Sequence, residues 1–180
     1  MTIISFDIEA DGPSPATNNM LQFGAVTNSG EKFSVNIQQR SGYVGDPDTI
    51  AWLAKNNIWQ SVNVNAVHPI VAMTRLSEWL SKIQGPVKFI AMPAAYDWMW
   101  LRCYYDQYAP PDAYKLPFKS TCISSYRDAI FDQKGITDDE EWDKLNSELF
   151  GERVGINHNA VDDAVNQLRF YQNLVSYAKS

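Results

Sequence analysis

Hydrophobic positions in the first forty residues recur at strand spacing, and from there on they recur mainly at helical spacing. Ile3, Ile4, Phe6 and Ile8 belong to a short β-prone run over Thr2 to Ile8, Met20 to Thr27 form a second, and Glu31 to Ile37 a third. Asn28, Ser29 and Gly30 read as a tight hairpin turn between the last two. Helical segments follow around Asp48 to Trp59 and Pro69 to Ile83, then a strand from Val87 to Met92. Pro93, Ala94 and Ala95 open a helix through Tyr96, Trp98, Leu101 and Tyr105. A short strand near Thr121 and a polar, acidic loop from Gln133 to Glu141 precede a helix through Trp142, Leu145 and Leu149. The last helix starts at Ala160, with Ala164, Val165, Leu168, Tyr171, Leu174, Val175 and Ala178 in one apolar stripe. An antiparallel meander followed by alternating helix and strand predicts an α/β fold, a mixed sheet whose first three strands are antiparallel, flanked by helices.

Placing the acidic residues on these elements brings out a candidate chemistry. Asp7 and Glu9 lie two apart on the first strand, so their side chains share one face. Asp97 falls in the first turn of its helix, where the helix dipole favours a carboxylate even without a functional role. At 3.6 residues per turn, Asp163 lies roughly 100° from the centre of the last helix's stripe and Asp162 roughly 160° from it. Asp163 is therefore expected at the edge of the buried side and Asp162 in solvent. Asn159 is expected to cap that helix, with His158 just ahead of it. Carboxylates are the ligands that magnesium and manganese require. Two such ions about 4 Å apart stabilise the attacking and leaving oxygens of a phosphodiester together. A histidine, with an ordinary pKa of about 6.5, can take the proton of the attacking water near neutral pH.

Asp7-x-Glu9, the lone Asp97 and the pair His158 and Asp163, in this order along the chain, resemble the DEDDh superfamily of 3′-to-5′ exonucleases. The histidine subtype is implied because the sister group has a tyrosine four residues before its last aspartate, where this chain has Asn159. The resemblance extends over nearly the whole chain. Asp11-Gly12, the segment Asp48 to Leu53 with Trp52, and Lys119 to Tyr126 are most similar to the RNase AS-like branch of exoribonucleases and related phage-type exonucleases. It implies a ribonuclease-H-like fold with the acidic residues converging at one edge of the sheet. It also implies catalytic roles for Asp7, Glu9, Asp97, Asp163 and His158, with the four carboxylates holding two Mg²⁺ or Mn²⁺ ions. The terminal nucleotide is expected against Ala10, Asp11 and Gly12, with Phe23 and Tyr96 as contacts to a base. Two departures stand out: Ala10 occupies a position where relatives often carry Thr or Ser, and Tyr96 one where Phe is common.

Length and composition, 180 residues with 45% hydrophobic, suit one compact exonuclease domain over residues 1–180. A formal charge of −6 argues against strong binding to long duplex, since backbone affinity comes from Lys and Arg. Lys82, Lys88, Arg102, Lys115, Lys119 and Arg127 are spread too thinly to form a patch. Single-stranded ends are the better fit, because aromatic faces stack on unpaired bases. Trp98, Leu101 and Tyr105 read instead as a buried stripe. Cys103 and Cys122 come without a CxxC pair, which argues against zinc. No signal peptide or membrane span is expected, which points to the cytoplasm, or the host cytoplasm for a phage protein.

The expected function is metal-dependent release of nucleoside 5′-monophosphates from the 3′ end of single-stranded RNA, by two-metal hydrolysis with His158 as general base. A DNA exonuclease would share every catalytic residue, because sugar choice rests on contacts to the 2′-hydroxyl. An inactive nucleic-acid-binding module is the alternative of a different class. A glycosidase fits poorly: its two acids stand about 5 to 9.5 Å apart across a bond, whereas Asp7 and Glu9 are neighbours on one strand face. A homodimer is expected by resemblance alone.

Overall fold

The computed structural model describes residues 1–156 and 158–180. Five strands form one mixed sheet in the order β3-β2-β1-β4-β5. Strands β1 (Thr2–Ala10), β2 (Met20–Thr27) and β3 (Lys32–Asn36) are the antiparallel meander, while β4 (Val87–Ala91) and β5 (Thr121–Cys122) run parallel to β1. The α/β plan with three antiparallel leading strands is thus the one the apolar pattern predicts.

Period-2 alternation on β1 assigns its two faces. Ile4, Phe6 and Ile8 point into a core built with α3 (Pro69–Ser81) and α4 (Ala94–Tyr108), where Leu76, Leu80, Trp100 and Leu101 are fully buried. Phe6 packs between Phe23 and Phe89 at centroid distances of 5.9 and 5.8 Å. Burying one such side chain is worth about 1.5–3 kcal/mol. The opposite face is covered by α5 (Ile123–Gln133) and α7 (Ala160–Tyr177), with α6 (Asp139–Phe150) packed outside against α7. Asp7 and Glu9 sit on this second face. Among the described residues no helix is long and apolar enough to cross a membrane.

One predicted element is divided. The segment expected as one helix from Asp48 to Trp59 is α1 (Pro47–Lys55) followed by α2 (Ile58–Asn63). Asn57 between them has a φ of 60°, a left-handed conformation that Asn tolerates and a helix does not. The break lets Leu53, Ile58 and Val62 close over Leu21 as a small separate core. Leu21 is free to face it because the β1–β2 register slips after Glu9: Gln22 pairs with Glu9 and Met20 with Ala10, leaving Leu21 as the extra residue of a bulge.

Candidate active site

The cleft begins where β1 outruns β4. Pairing between them stops at Ser5 and Ile90, so the next residues of β1 on the α7 face, Asp7 and Glu9, line an open end rather than a ladder. Helix α7 reaches them because of Gly24, the cross-strand partner of Asp7. A Cβ at Gly24 would lie 2.1 Å from the Val161 nitrogen and 2.3 Å from the Ala160 carbonyl carbon, so only glycine admits the helix start here. Gln22, beside Glu9, accepts the Ala160 N–H at 2.7 Å, and Asn159 accepts from Asp162 N at 3.4 Å; together they satisfy orphan donors of the first turn. Asp163, one turn in, then faces the carboxylates of β1.

Asp97 comes from the other layer. It lies in the first turn of α4, which Pro93 opens after a cis Met92–Pro93 peptide bond. It is 3% exposed, and among the described residues its Oδ2 has no hydrogen-bond partner. His158 precedes α7 with a φ of 57°, donates its backbone N–H to Asp163 Oδ2 at 3.0 Å, and sets its ring edge-on to Trp52, 4.8 Å between centroids. Asp7, Glu9, Asp97, His158 and Asp163 therefore line one cleft of about 250 Å³. Glu9, His158 and Asp163 each present a ligand atom within 4.8 Å of the others.

Such a cluster is electrostatically unfavourable without cations. Loss of hydration, with Asp163 and Asp97 nearby, raises the Glu9 carboxyl from 4.5 to about 8. Loss of hydration raises Asp97 from 3.8 to about 7, partly offset by the Ile8 backbone. Asp7 is pushed well above the usual carboxylate range, first by loss of hydration and then by Asp97, Glu9 and Asp163. The Asp97 oxygen left unpartnered among the described residues and the carboxylates of Glu9 and Asp163, with His158 beside them, fit a divalent ion.

Glu9 and Asp97 hold protons more tightly in the folded chain than in the unfolded one, so their contribution is complete below about pH 4 and is lost as pH rises towards 8. The melting temperature of metal-free protein is expected to fall by about 5 °C or more between pH 5.5 and 8. Saturating Mg²⁺ or Mn²⁺ should recover most of that loss, and Glu9→Gln should flatten the slope. A flat metal-free profile, followed by differential scanning fluorimetry, would contradict the mutual repulsion.

The neighbouring positions divide into wall and scaffold. Tyr96 lines the cleft and donates its hydroxyl to the Gly12 carbonyl at 3.0 Å. Ala10 and Gly12 are buried just beyond Glu9. Phe23, expected to contact a base, is fully buried: as the partner of Ile8 it points to the α3–α4 side of the sheet, away from Asp7 and Glu9. Asp11, expected beside the substrate, is also fully buried, and its carboxylate accepts from Asn19 Nδ2 at 2.8 Å and Gln39 Nε2 at 2.9 Å. Its backbone N–H and carbonyl are engaged by Asn19 and Asp46, so it organises the loop after β1 instead. Asp162, expected in solvent, is half-buried and accepts the Ile156 N–H at 2.9 Å.

Three cleft contributors have no place in the acidic motifs. Gln167, one turn after Asp163, donates Nε2 to Asp7 Oδ1 at 2.7 Å; its i+4 spacing from Asp163 is the signal that would have found it. Arg153 pairs with Asp163 from the loop before α7, and Trp52 meets His158 from α1. Neither contact is marked by local periodicity.

Known proteins resemble this chain in sequence and fold. The family described as the 3′-5′ exoribonuclease Rv2179c-like domain matches residues 2–175. Over 111 residues the chain is 24% identical to the 3′-5′ DNA exonuclease Cap18 of Escherichia coli. That stretch is 58% of this chain and 57% of Cap18, so little more than half of the relative's length is matched. The nuclease domain of 3′hExo, a DEDDh family member solved with rAMP, superposes with a TM-score of 0.67 at 14% identity, covering 98% of this chain and 92% of that one. E. coli exonuclease I, solved with a dT13 oligonucleotide, gives a TM-score of 0.67 at 16% identity, covering 99% of this chain and 41% of that one. At these identities the superpositions speak for the fold, which is the ribonuclease-H-like α/β fold of the DEDDh exonucleases.

Proposed function

Because the chain belongs to the family of 3′-5′ exoribonuclease Rv2179c-like domains, we propose that it removes nucleoside 5′-monophosphates stepwise from the 3′ end of single-stranded RNA. The observation that carries this reading is the convergence of Asp7, Glu9, Asp97, Asp163 and His158 on one cleft, from β1, α4, α7 and the residues just before α7.

In this reading Asp7, Glu9, Asp97 and Asp163 hold two Mg²⁺ or Mn²⁺ ions. Such ions supply Lewis-acid stabilisation of charge on the attacking and leaving oxygens of the phosphodiester. The chain's own groups do the rest. His158 takes the proton of the attacking water; its backbone is held by Asp163, and its ring rests against Trp52. Gln167 holds Oδ1 of Asp7 and so orients the carboxylate. Tyr96, tied to Gly12, lines the cleft and offers the terminal nucleotide a wall.

Action on DNA is the second reading, favoured by the description of Cap18 as a DNA exonuclease. One experiment separates the two: denaturing gels of matched 5′-labelled single-stranded RNA and DNA, each with Mg²⁺, Mn²⁺ or EDTA, with Asp163→Asn as the blank. A ladder shortening from the 3′ end of RNA, abolished by EDTA and in the variant, is the expected result. Shortening of DNA alone would reassign the substrate. Intact strands under every condition would sink the nuclease reading and favour a binding module.

A further inference from the structure

The segment between α6 and α7 is tied to α7 along its backbone. Arg169 donates to the Phe150 and Glu152 carbonyls. Asn166 accepts the Val154 N–H and donates to the Val154 carbonyl, each at 2.9 Å. Asp162 accepts the Ile156 N–H at 2.9 Å, and Gly155 lies so close over Asp162 that a Cβ would stand 2.4 Å from its Cγ. Within this anchored stretch Arg153 sends its side chain into the cleft, pairing with Asp163 and passing 5.4 Å from the Phe150 ring centroid. It is the one Lys or Arg lining the cleft among the described residues.

The position is contested by design of the site. Asp163 Oδ2 accepts the His158 N–H and Oδ1 pairs with the guanidinium, so a divalent ion coming to Asp163 competes with Arg153 for the same carboxylate. Once displaced, the side chain stays at the cleft because its backbone is pinned on both sides. The guanidinium, a planar fork that fits two phosphate oxygens at once, then has the strand's phosphate as the nearest available anion. We propose that Arg153 is a displaceable cation, neutralising Asp163 in the metal-free protein and gripping a strand phosphate once a divalent ion has taken that carboxylate. This rests on the nuclease reading above.

Two equilibrium measurements without turnover test it, by isothermal titration calorimetry on wild type, Arg153→Gln and Arg153→Lys. Mn²⁺ alone should bind about 10-fold more tightly to Arg153→Gln than to wild type, because the competing charge is gone. AMP, added in saturating Mn²⁺, should bind the same variant about 10-fold more weakly, with Arg153→Lys in between. A merely structural arginine would not move the two affinities in opposite directions. Unchanged or weaker Mn²⁺ binding, or unchanged AMP binding, overturns the proposal. If wild type still shortens 3′ ends in that case, the nuclease reading stands without it. If wild type binds neither probe and leaves ends intact, both fall together.

Discussion

Asp7→Asn should slow 3′-end shortening by about 10³-fold or more while raising the melting temperature of the metal-free protein above pH 7. The two effects share one cause. Loss of hydration pushes the Asp7 carboxyl towards the protonated form, and Asp97, Glu9 and Asp163 push it further. Replacing it with a neutral amide of the same shape removes a ligand that the proposed chemistry needs and, at the same time, a buried acid that is costly to ionise beside its neighbours. The amide oxygen of the variant still accepts from Gln167, so the local packing persists. A gain of about 2–6 °C at pH 8 is the expected scale for a domain of this size. The pairing of dead turnover with a more stable fold is the diagnostic result. A variant that loses both activity and thermal stability would mark Asp7 as a structural residue and remove it from the catalytic scheme.

Gly24→Ala tests the architecture that delivers Asp163. In an unobstructed strand this exchange stabilises by about 0.5–1 kcal/mol, since alanine loses less backbone entropy. Here no positive φ demands glycine, but the added carbon would meet the backbone of Ala160 and Val161 at 2.3 and 2.1 Å. Backbone atoms cannot rotate away as a side chain can, so either β2 or the first turn of α7 must move. The expected cost is about 3–5 kcal/mol, read by urea denaturation. Turnover should fall beyond what partial unfolding explains, because the displaced turn carries Asp163 away from Asp7. Wild-type stability in this variant would refute the close approach of α7 to β2.

The sequence by itself determined most of the elements, though not α5 or the break before α2, and most of the site's membership. Alternation in β1 put Asp7 and Glu9 on one face because strand side chains have a period of two, and the stripe of α7 singled out Asp163 over Asp162 because helical angles are equally local. The resemblance then supplied Asp97 and His158, which the structure brings to the same cleft. What failed depended on contacts and backbone turns that periodicity does not carry. Phe23 was misread because its facing is set by register with Ile8, not by its own neighbours in the chain. Asp11 looked free because the groups that occupy it, Asn19 at the far end of its own loop and Gln39 beyond β3, are not its neighbours in the chain. Asp162 is drawn out of solvent by a backbone donor at Ile156, and the helix from Asp48 breaks at a left-handed Asn57. Only the tertiary structure decided that Gly24 admits α7, that Gln167 steadies Asp7 and that Arg153 faces Asp163. Periodicity carries the direction of a side chain relative to its own element; which partner waits there is fixed by how the elements pack.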